Sequence, residues 1–229
     1  VAYTYGAAVV GNDGLSSQAE SNWKFNYSND INADEVSYSS FDLRHRLIAQ
    51  LNYRVEYAKH FATTIGLIYN GQSGPRYSIL YNGDINGDGT SNDLAYLPAT
   101  MASSSRSAMD YATFLKENPD IAQYVGRIAP RNAFVAPFIH KVDLHFAQDF
   151  FVNVGGRRHT LQLNADVINL TNLLNRGWGM EPYVNYSSIT PITVLRDGSY
   201  EFNHATKQPW SYSDINSRWR AQVGLKYIF

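Results

Sequence analysis

The last eleven residues, Trp219-Arg220-Ala221-Gln222-Val223-Gly224-Leu225-Lys226-Tyr227-Ile228-Phe229, put Trp219, Ala221, Val223, Leu225, Tyr227 and Phe229 on one side of an extended chain. Arg220, Gln222, Gly224 and Lys226 fall on the other, and only Ile228 breaks the pattern. Strand side chains alternate between faces, so one face meets an apolar phase and the other meets water. The stretch also has the length, roughly 9 to 11 residues, that a tilted strand needs to cross a bilayer.

The same two-faced reading repeats upstream. Leu161, Leu163, Ala165 and Val167 alternate with Thr160, Gln162, Asn164 and Asp166, and before them Val142, Leu144, Phe146, Phe150 and Val152 alternate with Lys141, Asp143, His145 and Asp149. Gly155-Gly156-Arg157-Arg158 joins the two as a tight turn, with Gln148 and Phe151 on the wrong faces. A second hairpin is expected from Phe41 to about Tyr81, turning at Ala58-Lys59-His60: Leu47, Ala49, Leu51, Tyr53, Val55 and Tyr57 lead in, and Phe61, Thr63, Ile65, Leu67 and Tyr69 lead out. Val1, Tyr3, Tyr5, Ala7 and Val9 form a first strand.

Six strands follow, joined by two short turns and by stretches of roughly 30, 60 and 50 residues, in strict alternation. Outer-membrane barrels have this arrangement, with short turns on the periplasmic side and long loops outside. Six strands leave two open edges in a lipid phase, where every backbone group must be satisfied, so the chain is expected to be one part of a larger barrel. Val1 falls inside a strand with no turn before it, which predicts earlier strands. Arg46, Arg54, Glu56, Lys141, Asp143, Asp149, Asp166, Arg220 and Lys226 would all face inward, as suits a wide, hydrated lumen. A narrow barrel with an internal ion-pair network is the alternative.

Composition agrees and excludes other classes. Seventeen Tyr, eleven Phe and four Trp make 14% of the chain, and such rings favour bilayer interfaces, although a soluble β-sandwich could hold them too. Lys and Arg number 19 against 20 Asp and Glu, which gives no nucleic-acid footprint. No Cys is present, so thiolate metal sites and cysteine nucleophiles are excluded. No apolar run approaches the roughly 18 residues of a spanning helix.

The sharpest local motif is Asp84 to Asp93. Asp84, Asn86, Asp88 and Asn92 supply oxygens at positions 1, 3, 5 and 9 of a calcium-type loop with Gly89 at 6, and Thr90 could add a carbonyl at 7. Position 12 is Ala95 where a bidentate carboxylate belongs, so Asp93 would have to substitute from another angle. A turn built by Asx and Gly residues, without an ion, is the alternative. The same loop carries a helical insert, with Ser107 and Asp110 as a partial capping box, Phe114 and Leu115 as its apolar contact, and Asn118-Pro119 restarting a turn before Ile121 and Tyr124. It could line a ligand-binding mouth or pack as a lid on neighbouring loops. In the third loop Trp178, Tyr183, Tyr186, Tyr200, Trp210 and Tyr212 could stack on sugars or peptides, or belong to the aromatic girdle and loop cores.

His140 and His145 lie on opposite faces of one strand and cannot share a metal, His60 and His159 sit at turns, and His45 and His204 lie near loops. Asn26, Asn169 and Asn185 match N-x-S/T, which carries little meaning on a bacterial barrel. No Ser, His and Asp arrangement has the spacing of a catalytic site, so no enzyme is expected.

FDLRHRLIAQLNY (Phe41 to Tyr53), NGDINGDGTSNDLAYLP (Asn82 to Pro98), RIAPRNAFVAPF (Arg127 to Phe138), HKVDLHFAQDF (His140 to Phe150), ADVINLTNLLNRGWG (Ala165 to Gly179) and WRAQVGLKYIF (Trp219 to Phe229) resemble, in order, segments of the carboxy-terminal barrel of Oar-like TonB-dependent receptors of the Bacteroidetes type. The resemblance implies a cell outer-membrane barrel of 22 strands around an amino-terminal plug, importing a scarce nutrient with energy from TonB. On that footing residues 1–229 are the carboxy-terminal part of the barrel. The partners are outer-membrane lipid, the remaining strands and plug, TonB through the upstream part, and a candidate surface lipoprotein. The terminal Phe229 is similar to the signal read by the barrel-assembly machinery. An adhesion or assembly barrel without transport, and less readily a barrel enzyme, are the rival functions.

Overall fold

The computed structural model describes residues 1–30, 32–33, 35–203 and 208–229. Strand β1 (Ala2–Tyr5) enters a first loop holding β2 (Val9–Val10), α1 (Ala19–Lys24) and β3 (Ser37–Tyr38). Strands β4 (His45–Tyr57) and β5 (Phe61–Gln72) make the first hairpin, and the second loop holds β6 (Arg76–Tyr81), α2 (Ser105–Glu117), α3 (Pro119–Ala122) and β7 (Phe134–Val135). The second hairpin is β8 (Ile139–Val154) with β9 (Arg157–Ile168). The third loop holds α4 (Leu170–Leu174), β10 (Pro182–Tyr183), β11 (Ser188–Val194), β12 (Tyr200–Phe202), β13 (Ser211–Tyr212) and α5 (Asp214–Ser217), and β14 (Arg220–Ile228) closes the order.

Six of these strands form one antiparallel sheet in chain order, β1-β4-β5-β8-β9-β14. Gly155 and Gly156, at φ of 60° and 80°, supply the left-handed positions of a two-residue turn between the paired Val154 and Arg157. At the other turn Ala58 and Lys59 adopt φ of 47° and 64° without glycine, at a cost of about 1 kcal/mol each.

Three boundaries differ from the alternation pattern. The first strand stops at Tyr5, and Val9–Val10 turns away to pair with Ser37–Tyr38. Phe41 to Arg44 precede β4 instead of joining it. The return strand ends at Gln72, and Arg76 to Tyr81 belong to another sheet. Gly74 causes that break: a Cβ there would lie 2.4 Å from the Ala136 carbonyl oxygen and 2.5 Å from that of Pro137, so only glycine lets the two chain segments cross.

Registers carry the two faces across the sheet. Tyr53, Ile65, Phe146, Ala165 and Val223 form one continuous cross-strand row, and Asn52, Gly66, His145, Asp166 and Gln222 form the next. The apolar face is not covered as it would be in a soluble sheet. Leu51, Val223 and Leu225 on it are 65%, 72% and 70% exposed. Such a broad exposed apolar surface requires an apolar surrounding phase.

Both residues on the wrong faces are accommodated. The Gln148 amide accepts from Thr63 Oγ1 (2.6 Å) and Tyr57 OH (3.2 Å) and donates to the carbonyls of Ala62 and Asp149, which satisfies it locally. The Phe151 ring is buried beneath the Arg158 guanidinium, 3.4 Å from the ring centroid. We expect Leu225→Arg to lower folding stability by roughly 2–4 kcal/mol if the site lies near the bilayer midplane. Gly224→Arg, on the polar face with open space where a Cβ would go, should cost much less. Denaturant unfolding in lipid checks this, and equal costs would refute the facing.

The buried apolar core lies in the loops. Strands order as β12-β11-β6-β7, with β11 parallel to β6 through Ser188 opposite Ser78 and Ile189 opposite Ile79. Tyr77, Ile79, Tyr111, Phe114, Ile121, Phe134, Ile192 and Phe202 pack together there. The helical insert packs into this core through Tyr111, Phe114 and Ile121. Its cap is Ser104, whose side chain accepts from the Ser107 N–H, instead of Ser107 with Asp110. Ser107 is buried, and its Oγ accepts from the Phe202 N–H at 2.7 Å, while Asp110 pairs with Arg106. Pro119 does restart a turn, at the first position of α3.

Candidate functional site

In the acidic loop, Gly87 and Gly89 take positive φ of 77° and 89°, and their backbone amides point at side-chain oxygens. Asp84 accepts from the Gly87 N–H with Oδ1 (2.7 Å) and from the Gly89 N–H with Oδ2 (2.9 Å). Asp88 Oδ1 accepts from Thr90 N (2.9 Å) and Thr90 Oγ1 (2.7 Å), which holds its carboxyl below the usual range. Asn86 Oδ1 accepts from Asp88 N, the Asn92 side-chain amide lies 2.7 Å from Thr90 Oγ1, and Asp93 Oδ2 accepts from Ile85 N at 2.7 Å. Asn92 and Asp93 are buried at the foot of the loop. Among the described residues no three His, Cys, Asp or Glu side chains gather as an ion-binding group.

Calcium at Asp84, Asn86, Asp88, Asn92 and Asp93 is therefore a proposal in which the ion must displace amide donors. Asp84→Ala, which strips both glycine amides of their acceptor, should raise protease cleavage of the loop. Protection by Ca2+ that vanishes in Asp84→Ala and Asp88→Ala supports the ion. Cleavage indifferent to Ca2+ and chelator leaves the turn alone.

The polar face of the sheet is a lattice of charges. Towards the turns Arg54 pairs with Asp149 at 2.8 Å and Glu56 at 3.4 Å, and Arg158 pairs with Glu56 at 3.1 Å. Midway, His145 Nδ1 lies 2.5 Å from Asp166. Towards the loops Lys141 meets Glu181 of the third loop at 2.5 Å, and Asp143 accepts from the Asn169 N–H at 2.7 Å. Arg46, Arg220 and Lys226 are exposed and have no ion-pair partner among the described residues. Parity assigned these groups to one face, but not the partners Arg158 and Glu181.

His140 and His145 do fall on opposite faces. His140 Nδ1 lies 2.7 Å from Tyr69 OH, His45 Nδ1 2.7 Å from Tyr3 OH, and His159 Nδ1 2.8 Å from Tyr227 OH, all on the apolar face near its two rims. Rims are where rings with a polar tip suit a bilayer. His204 lies outside the described residues. Of the third-loop aromatics, Tyr200 packs on the loop core, whereas Tyr186 is 79% exposed and stacks parallel to Phe25.

Two buried asparagines bind loops to wall, and sequence reading missed both as structural centres. Asn132 (φ 56°) exchanges bonds with Ser78 and donates to the Tyr38 carbonyl. Asn169 (φ 58°) donates through Nδ2 to the carbonyls of Gly179 (3.0 Å) and Ser217 (2.7 Å). The usable signal was asparagine directly after a strand or turn, since it tolerates left-handed backbone. Beside Asn132, Asp42 and Arg76 form a buried pair at 2.6 Å, to which Arg44 adds a contact at 3.2 Å.

No curated protein and no solved structure matches the chain. One protein family does, over residues 1–209, and its description is an outer membrane beta barrel domain. That description accounts for the exposed apolar face, the charged opposite face and the aromatic rims together, and the chain belongs to this outer-membrane β-barrel family.

Proposed function

We propose that this chain is the carboxy-terminal part of a TonB-dependent receptor that imports a scarce nutrient across the outer membrane. Its six wall strands then belong to a larger barrel, 22-stranded in the Oar-like receptors it resembles, closed around a plug. The long loops lie outside and the two short turns face the periplasm. The observation that carries the proposal is the polar face: it combines ion pairs with three exposed cations, Arg46, Arg220 and Lys226, that have no ion-pair partner among the described residues. Uncompensated charge needs water beside it, so a wide lumen suits this wall better than a small barrel filled by side chains. The unpaired outer edges of β1 and β14 add support, because strand edges in lipid must find partners.

Transport is tested with the full-length gene product in its own outer membrane. Uptake of a scarce substrate that stops when TonB is deleted is the expected result. Uptake that continues without TonB, or a full-length product with no plug domain, sinks the receptor reading and leaves an adhesion or assembly barrel.

A further inference from the structure

His140 lies on the apolar face of β8 with Val142 and Leu144, and Phe138, just before the strand, packs on it with ring centroids 4.8 Å apart. The third loop folds back over them, and Thr171, Trp178, Met180 and Tyr212 enclose with them a cavity of about 300 Å3, at the small end of the roughly 300–1,000 Å3 of ligand pockets. Strand β8 is paired on both sides, by β5 and β9, so strands added at either sheet edge would not lie over this niche. Its polar need is small, because Tyr69 OH already serves His140 Nδ1. Arg176, next to Gly177 in the niche wall, is exposed and has no carboxylate partner among the described residues. It lines an adjoining cavity of about 750 Å3 that shares Met180.

We infer that this niche holds an acyl chain of a phosphorylated outer-leaflet lipid, with Arg176 engaging the phosphate. The inference rests on the loop end lying outside, as proposed above. A nutrient on its way to the lumen would pass the opposite face of the sheet, whereas this cavity continues the surface that faces lipid. Its lining is apolar and aromatic, as an acyl chain needs, and a tryptophan ring with a cation beside it suits the headgroup boundary.

The test uses the full-length protein, purified with bound lipid and examined by native mass spectrometry against bis-phosphorylated lipid A, its dephosphorylated form and phosphatidylethanolamine. Wild type should retain phosphorylated lipid A most strongly. Phe138→Ala with Trp178→Ala should weaken retention roughly tenfold, and Arg176→Gln should erase the preference for the phosphorylated form. Leu51→Ala, exposed on the same face of β4, should change nothing, and heat-modifiable migration verifies folding of every variant. Equal retention by wild type and the double variant overturns the niche. Labelling of Ser91→Cys by an impermeant reagent on intact cells tests orientation separately: its absence overturns the outside placement of the loops even where retention holds.

Discussion

Replacing Arg76 with Ala is expected to destabilise the loop domain by about 3 kcal/mol, the low end of the usual cost of removing one partner of a buried ion pair, because Arg44 stays 3.2 Å from Asp42. Arg76 and Asp42 are 4% and 3% exposed, so neither charge can recover its hydration when the other is removed. Arg76 Nε donates to Asp42 at 2.6 Å, a second guanidinium nitrogen donates to the Asn132 carbonyl, and the guanidinium lies 4.1 Å from the Tyr38 ring centroid. The loss would therefore separate the first loop from the second. Trypsin cleavage in both loops, with the wall still heat-modifiable, is the measurement. A change below about 1 kcal/mol would show that water reaches the pair.

The same pair sets an acid limit. Burial opposes the Asp42 charge, but the Ala8 N–H, the Arg76 hydrogen bond and charge, and the Arg44 charge outweigh it and hold the carboxyl below its ordinary value. A lowered folded-state pKa adds stability above the unfolded value, about 3.9, and that stability disappears as pH falls through the folded value. Loop cleavage in wild type should thus rise only below about pH 4. Asp42→Asn should be weaker at neutral pH and flatter through that window.

Legibility followed the length scale of the pattern. Alternation needs only neighbouring residues, so the faces of β4, β5, β8, β9 and β14 could be read directly, including the misplaced Gln148 and Phe151. The calcium-type spacing was visible too, but the use of each oxygen was not, because Asp84 and Asp88 can serve amides or an ion with the same residue types. The loop domain was illegible. Its parallel pairing joins Ser78 to Ser188, far apart in the chain, and nothing within β6 announces that partner. Arg76 to Tyr81 alternates well enough to look like a continuation of β5, and only the backbone crossing at Gly74 shows otherwise.

Asn169→Ala should be the most damaging change near the wall, costing roughly 2–4 kcal/mol for two buried carbonyls left unpaired. Asn169 is 1% exposed, and four segments meet at it: its N–H bonds Asp143 of β8, its Nδ2 bonds the carbonyls of Gly179 and of Ser217 just before β14, and its Oδ1 accepts from Thr171 Oγ1 at 2.7 Å. Alanine would also hold φ of 58°, which costs it about 1–2 kcal/mol. Asn169→Gly separates the two contributions, since it restores the backbone freedom and not the bonds. We expect glycine to recover only the smaller part. Gly179→Ala tests the junction from the opposite side, because a Cβ there would lie 2.0 Å from Asn169 Oδ1 at a φ of 62°. Unfolding in lipid that is as late for Asn169→Ala as for wild type would mean that β14 is held by its ladder with β9 alone, and that the asparagine merely caps α4.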